Sequence, residues 1–119
     1  MKHNELGVLG ENLAVNYLKK QNYRILTRTY RFKRAEVDIV CQKEDLLVIV
    51  EVKTRCTAIV GEPYLAVTRS KQRQIIQVAD HFIRSENMYC DVRFDVISIV
   101  HNQFRSDLEH LINAFSPGL

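Results

Sequence analysis

Apolar positions recur at helical spacing along the first part of the chain. Across residues 4–22, Leu6, Leu9, Leu13, Ala14, Tyr17 and Leu18 fall on one arc, which predicts an amphipathic helix. Gly10 lies within that arc, where a missing side chain allows close approach to a sheet, and Glu11 lies at its border. The period then changes. Residues 23–29 are rich in Tyr, Ile and Thr and read as a strand. A polar, basic connection over residues 30–34 leads to a second strand over residues 35–41. Alternation there puts Val37, Ile39 and Cys41 on one face and Glu36, Asp38 and Val40 on the other. A turn over residues 42–45 precedes a third strand, 46–54, whose long apolar run predicts a central position covered on both sides.

Residues 56–67 read as a loop broken by Gly61 and Pro63. A second helix starts near Thr68 or Ser70, either of which can cap it, and its stripe is Ile75, Ile76, Ala79, Phe82 and Ile83. Residues 92–100 predict another strand. Leu108, Leu111, Ile112 and Phe115 have helical spacing, but the segment is short and fits a strand running into a turn equally well. Helix, three strands, helix, strand and a short last element imply an α/β fold with a mixed central β-sheet flanked by helices. At 119 residues the chain is expected to form a single domain, 1–119.

Composition changes this picture little. A hydrophobic fraction of 46% and a charged fraction of 26% are ordinary for a soluble domain. No apolar run reaches membrane-spanning length, and the N-terminal stretch has glutamates in its middle rather than the pattern of a signal peptide. No membrane association and a cytoplasmic location are the expectation. Cys41, Cys56 and Cys90 match no zinc or redox spacing and read as reduced thiols. The net charge is only +3, but it is unevenly spread. From Asn12 to Ala35 there is no acid, while Lys19, Lys20, Arg24, Arg28, Arg31, Lys33 and Arg34 all fall there. Arg69, Lys71 and Arg73 form a second basic group. Basic groups flanking an acidic centre suit a polyanion steered to a metal, although a solvated basic face has the same composition.

The acidic centre is AEVDIV and VIVEVKTR, at residues 35–40 and 48–55. Charges within apolar strands are costly unless paired or coordinated. Either plausible hairpin register keeps Glu36, Asp38, Glu51 and Lys53 on one face, because the side-chain period is two. One register sets Asp38 against Ile49, and the other sets it against Glu51. Two acids beside a lysine can hold a divalent metal, Mg²⁺ or Mn²⁺, for phosphodiester hydrolysis. Asp38 and Glu51 are the candidate ligands, with the backbone carbonyl of Val52, and Lys53 is the candidate to stabilise developing charge. Glu11 and Glu36 are supporting candidates. Arg31, Lys33, Arg34, Arg55, Arg69, Lys71 and Arg73 are candidate contacts to nucleic acid. The competing reading is a cross-strand salt-bridge cluster that neutralises itself, which is poor value for stability in so apolar a setting.

The spacing Asp38-x12-Glu51-Val52-Lys53 resembles the PD-(D/E)xK nuclease motif. GENLAVNYL, NYRILTRTYR, AEVDIV, VIVEVKTR, GEPYLAVTRSKQRQI, RFDVISI and INAF occur in that order. Together they resemble the YraN-type family of uncharacterised endonuclease-like bacterial proteins, related to archaeal Holliday-junction resolvases. That resemblance implies a restriction-endonuclease-like core, with acidic roles on Glu11, Glu36, Asp38 and Glu51 and the basic role on Lys53. Lys71 matches a lysine of the family's second helix. Ala35 departs from the family's usual glycine, and would be strained if that position needs a positive φ.

Three functions compete on these residues. The first is a metal-dependent endonuclease acting on DNA, with branched or otherwise non-B structures among its substrates and a homodimer as the assembly that pairs two sites. The second is a non-catalytic nucleic-acid-binding module that keeps the nuclease fold. The third is an interaction protein with a salt-bridged sheet. The first predicts metal-dependent cleavage. The second predicts salt-dependent binding indifferent to Asp38 and Lys53. The third predicts neither, and a fold that suffers from Glu51→Gln.

Overall fold

A computed structural model describes residues 3–57 and 67–117. The loop anticipated at 56–67 falls mostly outside these residues. The elements run α1 (His3–Lys20), β1 (Arg24–Phe32), β2 (Ala35–Lys43), β3 (Leu46–Arg55), α2 (Arg69–Ser85), β4 (Asp91–His101) and β5 (Ser106–Phe115). The last element is a strand. Its alternation is incomplete because the pairing with β4 shifts register between Leu111 and Phe115, where Asn113 has φ 56° and Ile112 is exposed.

The five strands lie in chain order in one mixed sheet. β1, β2 and β3 form an antiparallel meander, β3 and β4 are parallel across the α2 crossover, and β5 returns antiparallel to β4. β3 is therefore central. Val48 and Val50 of β3 join Ala14, Val15 and Leu18 of α1, with Ile39, Cys41, Ile97 and Ile99, in one buried layer. Leu47 and Ile49 face the other way, onto Ile75, Val78, Ala79 and Phe82 of α2, with Val37, Val40, Phe94 and Val96. One helix covers each face, so β3 reads as a continuous apolar run.

Local chemistry explains the boundaries. The Thr68 side chain caps α2 by accepting the Lys71 N–H at 3.2 Å. A Cβ on Gly10 would overlap the Thr54 hydroxyl and come within 2.7 Å of Thr54 Cβ. Glycine thus sets the closeness of α1 to β3. The β1–β2 turn has φ 57° at Lys33, and Ala35 is not among the positive-φ residues. Its departure from glycine therefore carries no backbone strain.

The sheet is also pinned on its α1 side by a buried polar network. Asp95, wholly buried, accepts two hydrogen bonds from Arg93 at 2.9 and 2.8 Å and one from the Asn113 N–H at 2.9 Å. His110 Nε2 lies 2.7 Å from the same carboxylate, and its Nδ1 lies 3.0 Å from the Tyr17 hydroxyl. The Arg93 guanidinium also donates to the Tyr23 hydroxyl at 2.6 Å. Burial alone would raise the Asp95 carboxyl. The bonds from His110, Arg93 and Asn113 overrule it and hold the group below the usual carboxylate range. Arg93 lies two residues before Asp95 on β4 and so shares its face. His110 comes from the element whose type was ambiguous.

Candidate active site

The β2–β3 ladder pairs Cys41 with Val48 and Ile39 with Val50, and ends there. This is the register that sets Asp38 across from Glu51. Where the ladder stops, the Asp38 carboxylate takes over and accepts the Val52 N–H at 2.7 Å. A strand residue's N–H and C=O point to the same side, so the Val52 carbonyl also faces the opening between the two strands. In β1, Thr29 falls opposite Asp38, between the Arg28–Ile39 and Tyr30–Val37 pairs, and has φ 52°. The main chain is irregular on both strands at the acid that the motif singles out.

Glu51 is 4% exposed and lies on the α2 face, level with Val96. Lys71 Nζ, from the first turn of α2, approaches its carboxylate at 3.6 Å. The Glu51 carboxyl is pushed up to about 8, first by burial, then by the charge of Asp38 and a hydrogen bond shared with it; Lys71 and Lys53 pull the other way. Two acids and two lysines therefore meet where β2 and β3 part. Lys53, two residues on, shares the Glu51 face and is half-buried.

Glu36 departs from the expected arrangement. Val37 and Val40 lie in the same α2-side layer, so strict alternation breaks between them. Glu36, next to Val37, is turned to the other face and pairs with Arg31 at 2.8 Å. The break falls at Asp38, opposite Thr29 of β1 with its φ of 52°. Glu11 is held by Arg28 at 3.0 Å, and Arg28 also donates to Asn12 at 2.7 Å. Both supporting acids are thus engaged with β1 arginines, away from the Asp38–Glu51 pair.

The cationic candidates fall into three places. Lys33 and Arg34 are exposed on the β1–β2 turn, Arg55 is exposed at the end of β3, and Arg69 and Arg73 are exposed at the start of α2. Lys71, read as a contact to nucleic acid, reaches into the acidic pair instead. The first turn of α2 has no acid. Basic residues there oppose the helix dipole, whereas an anion at that end would be favoured by both.

Magnesium takes hard oxygen ligands and retains several waters, so few carboxylates are needed. Asp38 and Glu51 supply two, and the Val52 carbonyl faces the same opening. Among the described residues no group of three His, Cys, Asp or Glu side chains comes together as a metal site. A donor set at this place would consist of two acids and a backbone oxygen. It fits a divalent cation because Glu51 is buried against a like charge, a mismatch such a cation relieves.

The mixed sheet covered by a helix on each face makes this an α/β protein compatible with a restriction-endonuclease-like core. The chain belongs to the uncharacterised protein family UPF0102, whose model matches residues 10–99. This bears out the YraN-type resemblance of its motifs. It is 45% identical over 118 residues to a UPF0102 protein of Flavobacterium johnsoniae, covering 96% of each chain. A UPF0102 protein of Christiangramia forsetii is 40% identical over 114 residues, again covering 96% of each. One from Dictyoglomus thermophilum is 41% identical over 118 residues, covering 97% of this chain and 100% of the relative. Among the described residues no helix is long and apolar enough to cross a membrane.

Proposed function

We propose that the chain is a metal-dependent endonuclease that hydrolyses DNA phosphodiester bonds, with branched or otherwise structured DNA as its substrate class. The observation that carries this reading is the Asp38–Glu51 pair, half-buried and buried respectively, set beside Lys53 and Lys71 at the point where two strands part. A cross-strand salt bridge gives no reason to bury Glu51 beside a second acid, where burial first and the charge of Asp38 second push its carboxyl up to about 8.

Each residue has a role. Asp38 and Glu51, with the Val52 carbonyl, would hold Mg²⁺ or Mn²⁺. Such an ion supplies Lewis acidity toward a phosphoryl oxygen and lowers the pKa of an attacking water. Lys53 stabilises the negative charge that develops on the phosphate. Lys71 offsets the charge of the acidic pair as a whole before substrate arrives. Arg55, Arg69 and Arg73 hold the flanking phosphates, and Lys33 and Arg34 extend that track along the β1–β2 turn. A homodimer would place two such sites on one branched substrate.

The Lys71–Glu51 contact supports a second reading, in which the site is kept neutral and the fold only binds nucleic acid. One assay separates the two. Labelled linear, flapped and four-way-junction DNA is incubated with and without Mn²⁺, using wild type and Lys53→Ala. Metal-dependent cutting that is lost in the variant while binding persists supports the nuclease. Binding without cutting in either protein overturns it in favour of the binding module.

A further inference from the structure

A cavity of about 330 Å³ lies between the β1–β2 turn and the second and third turns of α2. Phe32, Ala35 and Val78 give it apolar walls, Gln74 and Gln77 supply amides, and Lys33 and Arg34 line it from the turn. Phe32 is held in place by stacking on His81, with centroids 4.0 Å apart and planes at 14°, and His81 is fixed by the Tyr30 hydroxyl at 2.8 Å. Lys33 Nζ sits 5.3 Å from the centre of the Phe32 ring. The cavity is therefore a fixed aromatic and aliphatic wall, two neutral hydrogen-bonding groups and a cationic rim.

That composition matches a nucleotide better than a purely anionic ligand. A carboxamide presents a donor and an acceptor together, the pattern that pairs with a base edge. Apolar and aromatic walls take the flat face of a base, and lysine and arginine take the phosphates beside it. The volume sits at the small end of the roughly 300–1,000 Å³ range of ligand sites. It is ample for one base.

Its location ties it to the acidic pair. Ala35 is three residues before Asp38 on β2, roughly 10 Å at about 3.3 Å per residue. That distance is about three nucleotides of a stacked strand at roughly 3.4 Å each. Gln74 and Gln77 lie on α2 about one and two turns beyond Lys71, the residue that contacts Glu51.

We propose that this cavity is a subsite for one unpaired base, two to three nucleotides from the scissile phosphate; the assignment rests on the nuclease reading for its position relative to the cut. A base inside a duplex reaches such a cavity only by leaving the stack, which costs a few kcal/mol and least where pairing is already broken. The subsite thus selects DNA with unpaired nucleotides beside the cut, such as a flap or a junction with open arms, over continuous duplex.

The test measures binding in EDTA, so it does not depend on cleavage. Fluorescein-labelled flap DNA and a blunt duplex of equal length are titrated with wild type and with the Gln74→Ala/Gln77→Ala double variant, both changes being at exposed positions of α2. A series of flaps with a single abasic nucleotide at each unpaired position completes the set. Wild type is expected to prefer the flap, and one abasic position is expected to weaken binding roughly tenfold. In the double variant that abasic effect disappears, while duplex binding is unchanged and circular dichroism confirms the fold. Equal wild-type affinity for every abasic flap, an intact abasic effect in the double variant, or no binding of either DNA would each overturn the subsite. Base-dependent binding without metal-dependent cutting would retain the cavity as a base site and remove the nuclease reading. Cutting without base dependence would do the reverse.

Discussion

Replacing Glu51 with glutamine should stabilise this protein at alkaline pH when no metal is present. In the folded chain the carboxyl is pushed from 4.5 up to about 8, first by burial and then by Asp38, against the pull of Lys71 and Lys53. The folded state therefore holds a proton that the unfolded state has released throughout that window. A raised folded-state value means the favourable contribution is complete below about 4.5 and is lost as pH rises through about 8. At about 1.4 kcal/mol per pKa unit the loss is on the order of 3–5 kcal/mol. Glutamine has nearly the shape of the protonated acid and carries no charge, so it escapes the loss. Urea unfolding in EDTA at a series of pH values from 4.5 to 9 measures this directly. Wild type minus Glu51→Gln should be close to zero at the acid end and should grow to a few kcal/mol in favour of the variant near pH 8. Titrations of groups that do not interact with Glu51 cancel in that difference, whereas Asp38, Lys71 and Lys53 titrate together with it. A pH-independent difference, or a variant that is less stable at every pH, would refute the reasoning and show that Glu51 is a structural ion-pair partner of Lys71.

Three further outcomes follow from the geometry. Asp95→Asn removes the charge that Arg93 and His110 share and should destabilise the fold by about 3–5 kcal/mol in urea at neutral pH. Because the Asp95 carboxyl is held low, its contribution is present above the ordinary carboxylate range and disappears as pH falls through the folded value. The wild-type and variant curves should therefore converge in acid. Gly10→Ala should cost about 1–3 kcal/mol by driving a methyl into Thr54, with part of the loss recovered in a Gly10→Ala/Thr54→Gly double variant, both read by thermal unfolding. Lys53→Ala should lower cleavage at least a hundredfold, about 2.7 kcal/mol of transition-state stabilisation, while DNA affinity in EDTA changes less than threefold.

Much of the fold was legible because the signals were local. The run LLVIV before Glu51 read as a strand covered on both faces, and it is the sheet's centre. Gly10 in an apolar helical arc announced a close approach, and Thr54 is what it approaches. The last strand was ambiguous because a register shift between Leu111 and Phe115, with φ 56° at Asn113, breaks its period of two. The acidic pair was legible up to a two-residue choice of register, since either choice keeps parity. The structure settles that choice by pairing Cys41 with Val48. The place of Glu36 was not legible. Period-two reasoning assumes a regular strand, and β2 breaks its alternation where Asp38 turns toward the Val52 N–H. Nor could spacing reveal that Lys71, from across a crossover, would reach Glu51, or that His110 would complete the partners of Asp95.

The most direct measurement is anomalous scattering from crystals soaked in Mn²⁺. The account predicts a peak at bonding distance, about 2.0–2.3 Å, from carboxylate oxygens of both Asp38 and Glu51, with Lys71 moved off Glu51. It also predicts that the peak vanishes in Asp38→Asn crystals. Manganese bound elsewhere, or an intact Lys71–Glu51 contact with no ion between the two acids, would contradict it.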